Sequence, residues 1–191
     1  MSYFFIFIGA VFVNNYILTQ FLGLCSFFGV SKKTETAVGM GLSVMFVMAI
    51  SSVLTYLFYI FVLVPLNITH LQTIVFILII ASIVQFVEVF MKKSFTTLYN
   101  LLGIYLPLIT VNCTIFGVAL INVQSDYNFL EMLVNSIGAG GGFTIAIFVL
   151  AGIREKFENN SDIPELFKGF PLALFSAGLM SIAFMGFLGL N

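Results

Sequence analysis

Cys25-Ser26-Phe27-Phe28-Gly29-Val30 recurs nearly half a chain later as Cys113-Thr114-Ile115-Phe116-Gly117-Val118. These are the chain's only two cysteines, and each opens the same phrase of thiol, hydroxyl, two apolar residues, glycine and valine. Both phrases sit inside long apolar runs. Charged residues make up 8% of the 191 residues and hydrophobic ones 61%, against roughly a quarter charged in soluble domains. A soluble domain of this size has too little interior to hide so much apolar surface, so lipid must be the solvent. A net charge of −1 without a basic patch argues against nucleic acid. Two cysteines without a C-x-x-C give no secreted disulfide framework. The first apolar run lacks the positive segment and cleavage site of a signal peptide, so it is expected to remain as a span.

Working outward from the two phrases, the apolar runs predict an all-α, polytopic membrane protein with six spans, near 3–24, 37–61, 71–91, 98–122, 129–152 and 171–190. Every Lys and Arg falls after an odd-numbered span: Lys32 and Lys33, then Lys92 and Lys93, then Arg154, Lys156 and Lys168. Those loops should face the cytoplasm, which puts both termini outside. Glu88 lies one turn before Lys92, the favourable order for an interfacial pair; the competing reading is a proton or cation role. Asp162-Ile163-Pro164-Glu165 fits the start of a short surface helix. Asn67-Ile68-Thr69 fits a glycan acceptor pattern of little weight here.

Each cysteine phrase belongs to a set of three spans, 1–91 and 92–191. Three is odd, so the second set must cross the bilayer in the opposite sense, the arrangement of inverted repeats whose discontinuous helices meet near the midplane. Asn14, Asn15, Thr19 and Gln20 precede Gly23 and Cys25 in the first span, and Pro107, Thr110 and Asn112 precede Cys113 in the fourth. Proline and glycine favour a broken helix there, and the polar side chains can repair amides and carbonyls left open by the break. Alternatively, they join neighbouring helices. Gly138-Ala139-Gly140-Gly141-Gly142 reads equally as a hinge, an ion-lining break or a close helix contact.

A single buried cysteine is most often a small apolar side chain. Two at matching points of opposed repeats can approach each other, and thiolates select iron–sulfur clusters, zinc or copper(I). Two thiolates cannot complete the four-cysteine set of an ordinary [2Fe–2S] cluster, and His70, the sole histidine, falls in an outside loop. The missing ligands would have to come from another polypeptide or a second copy. Thr114, Ser26 and Asn112 are candidate hydrogen-bond donors around such a centre. Two other readings stay open: a small inverted-repeat transporter without a redox centre, and a thiol–disulfide enzyme bridging Cys25 and Cys113.

Longer phrases carry a resemblance. Phe21-Leu22-Gly23-Leu24-Cys25 with Gly29-Val30-Ser31-Lys32-Lys33, the run Leu102-Gly103-Ile104-Tyr105-Leu106-Pro107-Leu108-Ile109-Thr110-Val111-Asn112-Cys113, and the closing Ala177-Gly178-Leu179-Met180-Ser181-Ile182-Ala183-Phe184-Met185-Gly186 make the chain similar to the RnfA/NqrE family of ion-pumping redox complexes. Gly29 and Phe116-Gly117-Val118-Ala119-Leu120 lean toward the Rnf branch. The resemblance implies a bacterial or archaeal cell membrane and a homologous membrane partner, called RnfE in Rnf complexes. It also implies that Cys25 and Cys113 join two partner cysteines around an intramembrane [2Fe–2S] cluster. The whole assembly would then be a ferredoxin:NAD+ oxidoreductase coupled to Na+ or H+ movement. The chain has no G-x-G-x-x-G fingerprint, so NADH and ferredoxin are expected to bind other subunits.

Overall fold

The computed structural model describes residues 2–66, 69–94, 108–109, 112–158 and 169–188. Among these residues every regular element is helical. The first apolar run is divided into α1 (Ser2–Ile8), a π-helical turn (Gly9–Val13), α2 (Tyr16–Gln20) and α3 (Leu24–Val30). α4 (Thr34–Phe58) continues through a second π turn (Tyr59–Leu63) into the short α5 (Val64–Leu66). After a 3-10 turn at Thr69–Leu71 come α6 (Gln72–Ser94), α7 (Cys113–Gln124), α8 (Phe129–Glu158) and α9 (Phe170–Leu188).

Among the described residues three helices are long and apolar enough to cross a bilayer: Thr34–Leu66, Gln72–Phe90 and Phe129–Phe157. Tyr3–Val13, Cys113–Gln124 and Phe170–Gly186 are shorter apolar helices. Phe61, Phe86, Phe90, Phe175 and Ile182 are exposed, as expected where lipid rather than water meets the surface. Glu88 and Lys92 lie one turn apart toward the end of α6, and His70 is exposed in the 3-10 turn. The readings placed on Pro107, Thr110, Asn67-Ile68, Asp162-Ile163-Pro164-Glu165 and Lys168, and the first part of the fourth span, lie outside the described residues.

α4 and α8 form the centre and run antiparallel. Gly41 of α4 meets Thr144, and Gly140 of α8 meets the backbone of Met45, where an added Cβ would stand 2.8 Å from Met45 Cα. Gly142 faces the carbonyls of Ala10 and Val11, and Gly138 faces Phe7 and Ala10. The glycine run is therefore not a break in the helix. α8 passes through it unbroken, and the missing side chains let α1, its π turn and α4 approach closely. Around this pair Phe27, Val30, Met40, Met48, Ile115, Phe143, Ile147 and Leu150 form a buried apolar core.

A string of polar side chains crosses the core. Asn135 Nδ2 donates to Asn122 Oδ1 at 2.7 Å and lies 3.4 Å from Tyr16 Oη. Asn122 Nδ2 donates to Ser136 Oγ at 3.0 Å, and Ser136 Oγ reaches Ser52 Oγ at 2.9 Å. The string ties α2, α4, α7 and α8 together, each group satisfying another where neither lipid nor water would.

Candidate functional site: the paired cysteine junction

The first run breaks twice. Asn15 leaves helical geometry at ψ 103°, and its side-chain oxygen accepts from Ile17 N at 3.3 Å, capping α2. Its Nδ2 donates across the bundle to Gly142 O at 3.0 Å, and Thr19 Oγ1 donates back to Asn15 O at 2.8 Å. Phe21, at φ 57°, ends α2, and Gly23, at φ 81°, opens α3. Both lie in the left-handed region, which glycine enters without steric penalty and phenylalanine does not. Asn112, at ψ 109°, caps α7 by accepting from Thr114 N at 3.1 Å. One polar residue before each cysteine, Asn15 and Asn112, thus caps a helix start, as the broken-helix reading expected. Asn14 and Gln20 remain exposed.

The two breaks place Cys25 and Cys113 in the first turns of α3 and α7. Their side chains come within interaction range of each other, and both thiols are free. The Gly23 N–H donates to Cys113 Sγ at 2.9 Å. Nearby, Asn112 Nδ2 donates to Ser26 Oγ at 3.2 Å, and Ser26 Oγ donates to Gly23 O at 3.0 Å. The side chains of Ser26 and Asn112 therefore stitch the two helix starts together rather than reaching sulfur. Thr114 Oγ1 is buried without a hydrogen-bond partner among the described residues. The donors that do reach sulfur are backbone amides, Gly23 N–H at Cys113 and Ser26 N–H at Cys25, which no side-chain pattern announces.

The glycine of each phrase has a matching duty. A Cβ at Gly117 would stand 2.6 Å from Leu22 Cδ1, and one at Gly29 would stand 3.0 Å from Leu108 Cδ2. Each glycine lies one turn beyond its cysteine and receives a leucine from just before the other cysteine. The packing is reciprocal.

Cys25 is exposed and borders a shallow apolar recess with Leu24, Phe28, Gly29 and Phe170. Cys113 is partly covered. No group of three or more His, Cys, Asp or Glu side chains placed to hold a metal occurs among the described residues. The donor chemistry nevertheless fits half of a soft-metal site: two adjacent thiols, backbone amides aimed at sulfur, and one sulfur open to a neighbouring surface.

Fold and site together define a multi-pass helical membrane protein carrying a thiol pair at a junction of interrupted helices. The chain belongs to the family described as "Rnf-Nqr subunit, membrane protein", whose profile matches residues 3–191. It is 56% identical to the A subunit of the Na(+)-translocating ferredoxin:NAD(+) oxidoreductase complex of Acetobacterium woodii, over 100% of this chain and 99% of that relative. It is 52% identical to the A subunit of the ion-translocating oxidoreductase complex of Sodalis glossinidius and 50% identical to its counterpart in Photorhabdus laumondii. Each of those alignments covers 99% of this chain and 97% of the relative.

Proposed function

We propose that this chain is the A-type membrane subunit of an ion-translocating ferredoxin:NAD+ oxidoreductase complex. In this reading Cys25 and Cys113 supply half the ligands of an intramembrane [2Fe–2S] cluster, and two thiolates of a homologous, RnfE-like membrane subunit supply the rest. The observation that carries the reading is the meeting of the two cysteines, with the Gly23 amide directed at Cys113 Sγ. Exposed Cys25 and its apolar recess are the side from which the partner would complete the ligand set.

The same proposal divides the chain into repeats 1–91 and 92–191, each of three spans and of opposite sense. The reciprocal contacts of Leu22 with Gly117 and Leu108 with Gly29 support that symmetry. Both termini would lie outside, because every Lys and Arg falls after an odd-numbered span.

When bound, such a cluster supplies one-electron transfer within the membrane. The chain's own residues prepare for it. Gly23 N–H offers a hydrogen bond to a thiolate, stabilising its charge where lipid cannot. Asn112 and Ser26 hold the helix starts in register, while Leu22 and Leu108 pack against the glycines of the opposite phrase. Charge changes at this junction act in a low dielectric, so they are felt strongly by the surrounding packing. Because the junction joins the two reversed halves, motion between them is the route by which redox change would gate Na+ or H+.

Cys25→Ser or Cys113→Ser should abolish an iron-dependent electron paramagnetic resonance signal in the complex purified with its membrane partner. Helical content should change little, since neither thiol lies in the apolar core. A signal retained in both variants would refute the ligand assignment.

A further inference from the structure

α3, which carries Cys25, has seven residues, too few to hold a direction by its own hydrogen bonds. Its start is fastened to α7 through Gly23, Ser26 and Asn112, as described above. Its end is fastened by a residue from far along the chain. Arg154 Nη1, from the last turns of α8, donates to Phe28 O at 3.1 Å and to Ser31 Oγ at 2.7 Å.

Phe28 O is one of the carbonyls that a helix leaves without an internal partner at its C-terminus. A cation there also opposes the partial negative charge of the last turn. Beside it, Glu155 takes a hydrogen bond from Thr34 Oγ1 at 3.0 Å, joining the same turn of α8 to the start of α4. The segment between α3 and α4 is therefore held from both sides by consecutive residues of α8. In sequence Arg154 reads only as one of the charges that set topology; its two hydrogen bonds are made to this particular helix end.

We propose that Arg154 is a positioning residue for Cys25: it fixes the far end of α3, so that the cysteine in the first turn is held at the distance and angle at which it meets Cys113 and the partner's surface. Because α8 is also the helix that carries Asn135 and Ser136 into the buried polar string, Arg154 connects the cysteine junction to the most extensively packed helix in the bundle. The proposal rests on the reading of Cys25 as a ligand, and its test separates the two.

The test compares Arg154→Gln, Arg154→Lys and Ser31→Ala with wild type in the complex purified with its membrane partner. One readout is the line shape and midpoint potential of the paramagnetic signal that depends on Cys25 and Cys113. The other is the rate at which N-ethylmaleimide alkylates each cysteine in the iron-depleted complex, followed peptide by peptide by mass spectrometry. Arg154→Gln should shift the midpoint potential, broaden the signal and change the Cys25 alkylation rate several-fold, while the Cys113 rate stays near that of wild type. Arg154→Lys, which keeps the charge but replaces the planar guanidinium with a shorter ammonium, should recover part of the effect. Ser31→Ala should give the smallest change, since Phe28 O is left in place.

If Arg154→Gln leaves signal, potential and Cys25 labelling as in wild type, the positioning role is refuted. Equal acceleration at both cysteines would also overturn it, because that reports general loosening. If wild type shows no cysteine-dependent signal, the cluster assignment has failed, and the Cys25 labelling rate alone decides whether Arg154 fixes α3. Should Arg154→Gln not assemble, Arg154→Lys and Ser31→Ala carry the same two readouts.

Discussion

Glycine interrupts helices at the cysteine junction and keeps them unbroken along α4 and α8. At Gly23 the backbone turns to φ 81° and its amide leaves the helix ladder to meet a sulfur. At Gly140 the backbone stays helical, and what matters is the absent Cβ, which lets Met45 lie against it. The polar residues divide the same way. Asn15 and Asn112 use their side-chain oxygens on backbone amides to start helices, whereas Asn122 and Asn135 pair with other side chains between helices that are already complete. Identical residue types thus bend one region and bind the other. What separates them is whether the neighbouring backbone has lost its own partners.

The comparison is broken most sharply at Gly23. In Gly23→Ala the new Cβ would run into Thr114 Oγ1 and come within 3.0 Å of Asn112 Oδ1. The left-handed backbone adds its own penalty for any residue with a Cβ. Strain and overpacking together should destabilise the fold by about 2–4 kcal/mol, measured as a shift in the detergent-induced loss of helical circular dichroism. The cysteine-dependent paramagnetic signal should fall with it. A variant with wild-type stability and an unaltered signal would show that neither the conformation nor the space at this glycine is needed.

Gly140 tests the other region. Gly140→Ala places a methyl against the backbone of Met45 and should cost about 1–3 kcal/mol by overpacking, less the gain of alanine in a helix. Gly152 lies further along the same helix with nothing within 4 Å of its virtual Cβ. Gly152→Ala should therefore be neutral or stabilise by up to about 1 kcal/mol. The contrast is the measurement: equal effects at both positions would mean that close approach of α4 and α8 is not what the glycine run supplies.

Much of this was legible in the sequence, for physical reasons that also mark where reading stopped. The matched phrases around Cys25 and Cys113 announced a shared junction, and the polar residues ahead of them announced breaks, because interrupted helices in lipid need nearby caps. Gly138 to Gly142 could not be decided that way. A glycine run looks the same whether the chain bends or a neighbour presses in, and only the position of Met45 and the carbonyls of Ala10 and Val11 distinguishes the two. Ser26 and Asn112 were correctly placed at the junction but bond each other. Gly23 N–H and the reach of Arg154 to Phe28 O were out of view, since one is a backbone group and the other depends on how α8 ends beside α3.

The smallest expected effect lies at Thr114, where the two regions' logic meets. Its hydroxyl is buried beside Gly23 yet, like Ser51 Oγ on α4, has no partner among the described residues. Thr114→Val keeps the branched shape that fills the space against Gly23 and removes an oxygen that burial has stripped of water. Losing an unsatisfied group is close to neutral or mildly favourable, so the unfolding free energy should change by no more than about 1 kcal/mol, upward if at all. A loss as large as that of Gly140→Ala would mean that the hydroxyl does hydrogen-bond once the complex is assembled. If that loss came with a shifted midpoint potential, the bond would run to the thiol pair, and Thr114 would join Gly23 as a donor at the junction. If stability alone fell, Thr114 would belong with Asn122 and Asn135 among the groups that bind helices together.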